Sequence, residues 1–245
     1  DGTLQYKVTT DATKPASTDG FADNIAQQTN AGTYYLWYYV KGDANHNDTE
    51  INTTGISKEI GKKAPAAADF DYTAPTDLAY DGSSKSATVT AKSSITGMGA
   101  VTVKYYKDDS EATPNAVGAY TVKISVAEGD NYAATTELTA DSWTFTISAV
   151  AASVTTAPAA VTGDLAYTGA PQALVTEAAG VTGGTLKYYV STTNSTPATT
   201  AEGWTDSPST GTDAATYYVW YYVEADGNHT STAVTAIDGA SKAIA

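Results

Sequence analysis

The chain has 245 residues, and its formal net charge of −14, with no arginine, argues against the basic surfaces that bind nucleic acid or anionic membranes. It has no cysteine, which excludes disulfides and thiolate metal sites. Good helix formers are scarce while Thr, Val and Tyr are frequent, so the composition predicts an all-β fold. No apolar run approaches the length of a transmembrane helix, and we expect no membrane insertion in this segment.

One strand pattern recurs along the chain and divides it into three segments, which we call the first, second and third copies. Their predicted boundaries are 1–62, 63–149 and 150–245. The first copy begins with GTLQYKVTT at Gly2–Thr10, which matches GTLKYYVST at Gly184–Thr192 in the third. It lacks roughly thirty residues that open the third copy, about two strands' worth. We therefore predict a partial first module followed by two complete ones.

The recurring strand reads YYLWYYV at Tyr34–Val40, YTVKISV at Tyr120–Val126 and YYVWYYV at Tyr217–Val223. Alternate residues of a strand face opposite sides of its sheet. The set that starts at the first Tyr is apolar in every copy, so we expect it to face the core. The intervening set is polar in the second copy and aromatic in the other two. These rings are predicted to stand on the outside of the sheet.

In the second copy we expect strands near Ser86–Ala91, Val101–Lys107, Ala119–Ala127 and Ser142–Ser148. Asp81-Gly82 has the chemistry of a tight turn, since both residues tolerate positive φ. About seven short strands per complete copy, with turn signals every eight to twelve residues, indicate a two-sheet sandwich of the immunoglobulin type.

The outward aromatic side chains are the candidate binding residues. In such a sandwich Tyr189 should neighbour Trp220, and Lys187 should neighbour Tyr218 or Tyr222. Three interpretations stay open: packing within the sheet, a protein–protein contact between modules or chains, and stacking of carbohydrate on the rings. The residues predicted to bind are Tyr35, Trp37, Tyr39, Tyr189, Tyr218, Trp220 and Tyr222.

Two polar features invite a metal interpretation. His46 and His229 both follow an Asn after an acidic turn, but the second copy has Tyr132 in that place, so packing of a ring against the hairpin is the favoured interpretation. Two oxygen-rich clusters could hold calcium, yet the first lacks the spacing of an EF-hand, and capping of Asx turns is the favoured interpretation. The clusters are Asp43, Asn45, Asn47 and Asp48, and Asp108, Asp109 and Glu111.

No grouping of residues indicates catalysis. The sequence has no nucleophile motif, no phosphate-binding glycine loop and no carboxylate in an apolar setting that would raise its pKa. Lys104 and Lys187 recur in register on the outward face, where a Lys–Asn or Lys–Asp crosslink is not expected. We expect neither an enzyme, nor a cofactor, nor a metal site.

Residues 64–149 resemble the bacterial immunoglobulin-like repeats (MBG-type) of large surface proteins and adhesins. The resemblance rests on LAYDG at Leu78–Gly82, a KYY strand, a Pro-containing loop, GAYTVKISVAEGDNY and a closing WTFTI strand. It implies an extracellular tandem array of immunoglobulin-like β-sandwich modules on the bacterial cell surface, and the short links between the modules predict that they form a rod. The implied role is a stalk, fibre (filament) or adhesin segment in cell adhesion, with neighbouring modules or chains as protein partners. The alternative function is a carbohydrate-binding module that uses the outward aromatic strip.

A sandwich that lacks two strands exposes sheet edges and part of its core, so we expect something to cover the first copy. Two sources stay open. Either the chain is a window from a longer repeat protein, or a neighbouring chain donates the strands. The window is favoured, because head-to-tail completion would need strands that neither end provides.

Overall fold

The computed structural model describes residues 2–237 and 242–245, and nearly all of their regular structure is β-strand. The prediction of an all-β chain is confirmed. The described residues contain one short 3-10 turn, at Ala67–Asp69. This outcome follows from the abundance of Thr, Val and Tyr, whose side chains suit a pleated surface.

The strands follow the order of the copies. The first copy contains β1 (Thr3–Thr9), β2 (Gly32–Lys41) and β3 (Ile56–Ile60). The second contains β4 (Phe70–Thr73), β5 (Thr88–Ala91), β6 (Val101–Lys107), β7 (Ser110–Glu111), β8 (Gly118–Val126), β9 (Thr135–Leu138) and β10 (Thr144–Ile147). The third contains β11 (Val150–Ala151), β12 (Ser153–Thr156), β13 (Gln172–Ala173), β14 (Ala179–Thr182), β15 (Gly184–Ser191), β16 (Thr210–Gly211), β17 (Thr216–Ala225), β18 (His229–Thr230), β19 (Thr235–Ala236) and β20 (Lys242–Ala243).

The four strands predicted in the second copy are present as β5, β6, β8 and β10, with ends within two residues of the expected ones. In the closing strand Phe145 and Ile147 are buried while Thr144 and Thr146 are exposed, as the alternation predicted. The expected turn also forms, because Gly82 has φ +79° and Ser83 N–H donates to Asp81 Oδ1 at 2.8 Å.

The described residues group into two compact units. The first comprises Asp1–Ala74, Ala87–Tyr106 and Thr121–Trp143, and the second comprises Pro75–Ser86, Lys107–Tyr120 and Thr144–Ala245. β8 contributes residues to both, and the strand order around it is β10-β8-β6-β7 with β9 also pairing with β8. The predicted boundaries at 1–62, 63–149 and 150–245 stay a prediction.

The first unit is built around the antiparallel sheet β1-β2-β3 and the antiparallel pair β4-β5. In the β1-β2-β3 sheet Tyr6 lies opposite Tyr38 and Lys7 opposite Trp37. The second unit contains the sheet β15-β17-β19, with β20 also on β17, and three smaller pairs. There Tyr188 lies opposite Tyr221 and Tyr189 opposite Trp220. The first and third copies therefore share one register across their two long strands.

Candidate functional site

The aromatic rings predicted to stand on the outside of the sheet are largely covered. Trp37 is 1% exposed and Trp220 is 2% exposed, and Tyr39 and Tyr222 are also buried. The remaining predicted binding residues, Tyr35, Tyr189 and Tyr218, are half-buried. The expectation of an exposed aromatic strip was therefore wrong. The binding role predicted for these seven residues stays a prediction, but the exposure on which it depended is missing.

The physical reason is a long loop that folds over the ring-bearing face. In the third copy the loop between β15 and β16 brings the indole of Trp204 to 4.7 Å from the Tyr222 ring and 5.3 Å from the Tyr189 ring, between centroids. Trp204 Nε1–H donates to Ala198 O at 2.9 Å, which closes the loop upon itself. Two backbone hydrogen bonds between Tyr188 and Thr205, of 2.8 and 2.9 Å, fix the loop to β15.

The first copy repeats this arrangement. Phe21, from the loop between β1 and β2, meets the Tyr39 ring edge-on at 5.2 Å, and Lys7 Nζ lies 5.8 Å from the Phe21 ring centroid. Trp37 Nε1–H donates to Thr9 Oγ1 at 3.0 Å, so its one polar atom is satisfied under the loop. Phe21 matches Trp204 in the sequence. In the sequence, the signal for this covering loop was a single aromatic residue at the equivalent position of two otherwise polar loops.

The neighbours predicted for these residues are confirmed. Tyr189 lies opposite Trp220 in the β15–β17 ladder, with ring centroids 6.1 Å apart, and Lys187 lies opposite Tyr222. Lys187 Nζ lies 2.5 Å from Asp206 Oδ1 and 3.1 Å from Glu224 Oε2. Its hydrogen bonds to Asp206 and Glu224 raise the pKa of this amine, which keeps it an ammonium and a poor nucleophile for a crosslink.

The opposite side of the recurring strand differs between copies. In the second copy Tyr120, Val122, Ile124 and Val126 are all buried, as predicted. In the third copy Val219 and Val223 are buried as well. In the first copy the matching residues were expected to face the core, and this expectation was wrong for Tyr38, which is 40% exposed. Among the described residues, no strand equivalent to the opening strands of the third copy lies over this side of the first sheet.

This uncovered side of the β1-β2-β3 sheet is the candidate site, and we call it the open face. Strand register places its residues on one side, because Leu4 lies opposite Val40, Val8 opposite Leu36, and Leu36 opposite Ile56. Its members are Leu4, Tyr6, Val8, Tyr34, Leu36, Tyr38, Val40 and Ile56.

The open face is apolar and accessible. Ile56 is 58% exposed, and four of the five exposed large hydrophobic residues in the described chain lie in the first copy. Beside Ile56 runs a groove of about 270 Å³ whose lining includes Val8, Ile25, Leu36 and Ile60. A concentration of accessible apolar side chains marks an interaction surface more often than scattered single residues do.

A second repeated feature is a contact made by the Asn of the turn after the recurring strand. In the first unit Asn131 Oδ1 accepts a hydrogen bond of 2.9 Å from Ala31 N–H. In the second unit Asn228 Oδ1 accepts one of 3.0 Å from Val117 N–H. Ala31 and Val117 occupy one position, three residues before the first Tyr of the recurring strand. In both cases, therefore, the turn contacts the residue directly before the recurring strand of the preceding copy, β2 or β8.

The backbone next to each Asn also pairs with the first residue of its own copy. In the first unit Lys63 pairs in parallel with Tyr132, through hydrogen bonds of 2.9 Å from Lys63 N–H to Asn131 O and from Ala133 N–H to Lys63 O. In the second unit β11 pairs in parallel with β18, which places Val150 beside His229. We call this combination of Asn side chain and parallel bridge the Asn joint.

The ring that follows each Asn matches the prediction in part. Tyr132 is buried, and the His229 ring packs edge-on against Tyr80 with centroids 5.2 Å apart. His46 is exposed, and its Nδ1 lies 2.7 Å from Asp43 Oδ1. The hydrogen bonds from His229 and from Asn228 N–H lower the pKa of Asp226. Packing of the ring is thus found for Tyr132 and His229, although His229 packs against Tyr80 and not against its own hairpin, and the prediction was wrong for the exposed His46.

The acidic turns cap their own backbone. Asn45 N–H donates to Asp43 Oδ1 at 2.8 Å, and Gly42 N–H donates to Asp48 Oδ1 at 2.8 Å. This is the Asx capping favoured by the sequence. Among the described residues no group of three or more His, Asp or Glu side chains is placed to hold a metal ion.

Sequence reasoning missed one recurring hydrogen bond at the start of the recurring strand. The hydroxyls of Tyr34, Tyr120 and Tyr217 each donate to the backbone carbonyl four residues upstream, at 2.9, 2.9 and 3.0 Å. The signal was a Tyr at the same strand position in all three copies. This bond closes the turn that leads into each recurring strand.

No helix among the described residues has the length and hydropathy needed to cross a membrane. Comparison of the chain with models of protein families, with curated proteins and with solved structures gives no match in any of the three.

Proposed function

We propose that the chain is a non-enzymatic segment of a bacterial surface protein, built from tandem immunoglobulin-like modules that act as a stalk, fibre or adhesin segment. The observation that carries the proposal is the Asn joint, made by Asn131 in the first unit and by Asn228 in the second. A contact that recurs at one repeat position is what a regular array requires, because each module then meets its neighbour in the same way.

The immunoglobulin-like assignment draws support from the Tyr hydroxyl bonds. A Tyr near the start of a strand, bonded to backbone a few residues upstream, is the tyrosine corner of immunoglobulin-type sandwiches. Tyr34, Tyr120 and Tyr217 all have this geometry. The buried residues of β8 and β10 form one apolar face of a single sheet, and Trp143 packs against Phe70 and Tyr72 of the separate β4-β5 pair, which suits two packed β-layers.

The partners that fit this role are protein surfaces: neighbouring modules and chains. The chain's acidic charge and its short, capped turns suit a solvated spacer between such contacts. The carbohydrate alternative required exposed rings, and Trp37 and Trp220 are buried. The extracellular bacterial location rests on the family resemblance of residues 64–149 and is part of the proposal.

Protease shaving of intact cells that express the native protein tests the location. We expect peptides of this chain among the fragments released from unbroken cells, and a cytoplasmic enzyme serves as the control for lysis. Release only after lysis would overturn the surface assignment.

A glycan array probed with the purified chain tests the function. Specific glycan binding that survives in the Tyr35→Ala and Tyr218→Ala variants would favour another site and overturn the structural role.

A further inference from the structure

The open face of the first copy matches the inner face of the equivalent sheet in the third copy. Tyr6 and Leu36 match Tyr188 and Val219, because both pairs hold the same place in sheets of the same register. In the third copy Tyr188 and Val219 are buried in one cluster with Leu174 and Val175. Leu174 and Val175 belong to the opening residues that the first copy lacks.

The opening residues of the third copy form a closed, hydrogen-bonded cover. Val161 N–H donates to Leu174 O at 3.1 Å, and Thr176 N–H donates to Ala159 O at 2.8 Å. Leu174 N–H in turn donates to Ser209 O at 3.0 Å, next to the ladder between β13 and β16. The cover is thus two extended stretches within residues 159–176, tied to the edge formed by residues 209–211.

The first copy has the same edge without a cover. Ser209 matches Ala26 with no gap in the alignment from Trp204 and Phe21 onward. The Ala26 carbonyl accepts a hydrogen bond from the Gln28 side chain at 3.2 Å. The equivalent carbonyl of Ser209 instead accepts one from the backbone N–H of Leu174, in the cover. The backbone N–H groups of residues 24–30 donate no hydrogen bond within the described chain. Ala26 and Gln28 also line the groove beside Ile56.

We propose that the open face and the edge at residues 26–28 form a docking site for a pair of β-strands of the same repeat type as residues 159–176. The Leu-Val pair of the incoming strand lies on Tyr6 and Leu36, and its backbone pairs with residues 26–28 by strand addition. This inference rests on the proposed repeat architecture. It adds a specific binding site and the chemistry of its occupant, a strand with adjacent aliphatic side chains.

A peptide of residues 157–183 stands for the occupant in the first test. We expect it to bind the 245-residue chain at one site, measured by the anisotropy of a fluorescent label on the peptide. Ile56→Lys should weaken binding at least about tenfold, because a side chain of that size loses its burial and a charge replaces it. The matched control is Tyr167→Lys, since Tyr167 is also 58% exposed but lies in the second unit. Its affinity for the peptide should stay within about twofold of the parent chain.

A graft supplies the second test, in which the strands are attached covalently. Gly184-Thr185-Leu186 matches Gly2-Thr3-Leu4, so residue 183 can be joined directly to residue 2. The graft should slow backbone hydrogen exchange in β1 and β2 and lower the fluorescence of the dye ANS bound to the chain. A graft with aspartate at both positions of the Leu174-Val175 pair should do neither, because charged side chains cannot cover an apolar face.

The outcomes separate the sources of a cover. Binding of the free peptide with loss in Ile56→Lys supports a site open to a strand from another molecule. Protection by the graft alone supports the same site filled from within one polypeptide. No binding and no protection overturns the proposal, as does self-association of the chain through Ile56 that the peptide cannot compete away. Failure of the shaving experiment would leave these results unchanged, so the two proposals can fail separately.

Discussion

Replacing Trp37 and Tyr38 separately by Ala tests which face of β2 is the packed one. The two residues are neighbours in one strand and therefore point to opposite sides of the sheet. Trp37 is 1% exposed and Tyr38 is 40% exposed. The apolar pattern shared by the three copies predicts the reverse order, with Tyr38 inside. The pair of variants thus sets the sequence pattern directly against the structure.

The expected magnitudes differ enough to measure. Truncating a buried Trp to Ala typically costs about 3–5 kcal/mol of unfolding free energy. That range includes here the hydrogen bond from Trp37 Nε1 to Thr9 Oγ1, worth about 1 kcal/mol. Removing the Tyr38 ring, which is 40% exposed, should cost about 1 kcal/mol or less.

Native-state hydrogen exchange, read by mass spectrometry on peptides within residues 2–62, reports the local unfolding free energy of β1 and β2. We expect Trp37→Ala to lower it by about 3–5 kcal/mol or to abolish protection, and Tyr38→Ala to change it by about 1 kcal/mol at most. Tyr167→Ala, in the second unit, should leave these peptides unchanged. A larger loss in Tyr38→Ala than in Trp37→Ala would refute the reasoning, because it would mean that the open face is the packed one.

Three further predictions concern single contacts. Asn228→Ala should destabilise the chain by about 1 kcal/mol in urea unfolding, because it removes the acceptor of the Asn joint, whereas Asn45→Ala at the exposed equivalent position should cost less than about 0.5 kcal/mol. Tyr120→Phe should lower the unfolding free energy by about 1 kcal/mol, because the hydroxyl no longer donates to the backbone carbonyl upstream, and an unchanged midpoint would contradict a stabilising role. The hydrogen bond from Lys63 and, to a lesser extent, that from the Ala66 N–H lower the pKa of buried Asp69. The ionised Asp69 therefore stabilises the folded chain at pH values above its unfolded pKa of about 3.9, and this stabilisation is lost as the pH falls through the lower folded pKa. Asp69→Asn should therefore reduce the difference in stability between pH 6 and pH 3, measured by urea unfolding of both proteins.

The strands of the second copy were predictable because their signals are local. In β8 the alternation from Tyr120 to Val126 has apolar residues on one side and Thr, Lys and Ser on the other, and the buried and half-buried residues follow that pattern. The turn at Asp81-Gly82 is likewise a property of two adjacent residues. Period and turn chemistry act over a few residues, so sequence alone contains them.

The faces of the first and third recurring strands were not predictable in the same way. With rings on one side and apolar residues on the other, alternation gives no contrast between the two. The side that becomes buried depends on what folds over it from elsewhere. Trp204 covers Tyr222, and Phe21 covers Tyr39, from loops that lie well away along the chain. A polar loop with one aromatic residue is a weak signal until the contact is seen.

The Asn joint also could not be predicted from the sequence pattern. Asn131 and Ala31 are 100 residues apart, and Asn228 and Val117 are 111 apart, so no local propensity relates them. The Asn itself was visible in every copy, but its role in a turn explained it equally well. Only the contact between copies distinguishes a capping Asn from one that also binds the preceding copy.

One face of the first sheet is covered and the other is exposed because the covering residues of the two faces lie at different places in the sequence. The cover of the ring-bearing side lies between β1 and β2, so every segment that holds both strands carries Phe21 with them. The cover of the opposite side, in the third copy, lies before β15 and must reach the sheet from residues outside it. A repeat of this kind is therefore closed on one side by its own loop, while the other side depends on whatever strands are supplied to it. Since burial of apolar area is the main favourable term in folding, we expect strands that dock on the open face to stabilise the first copy.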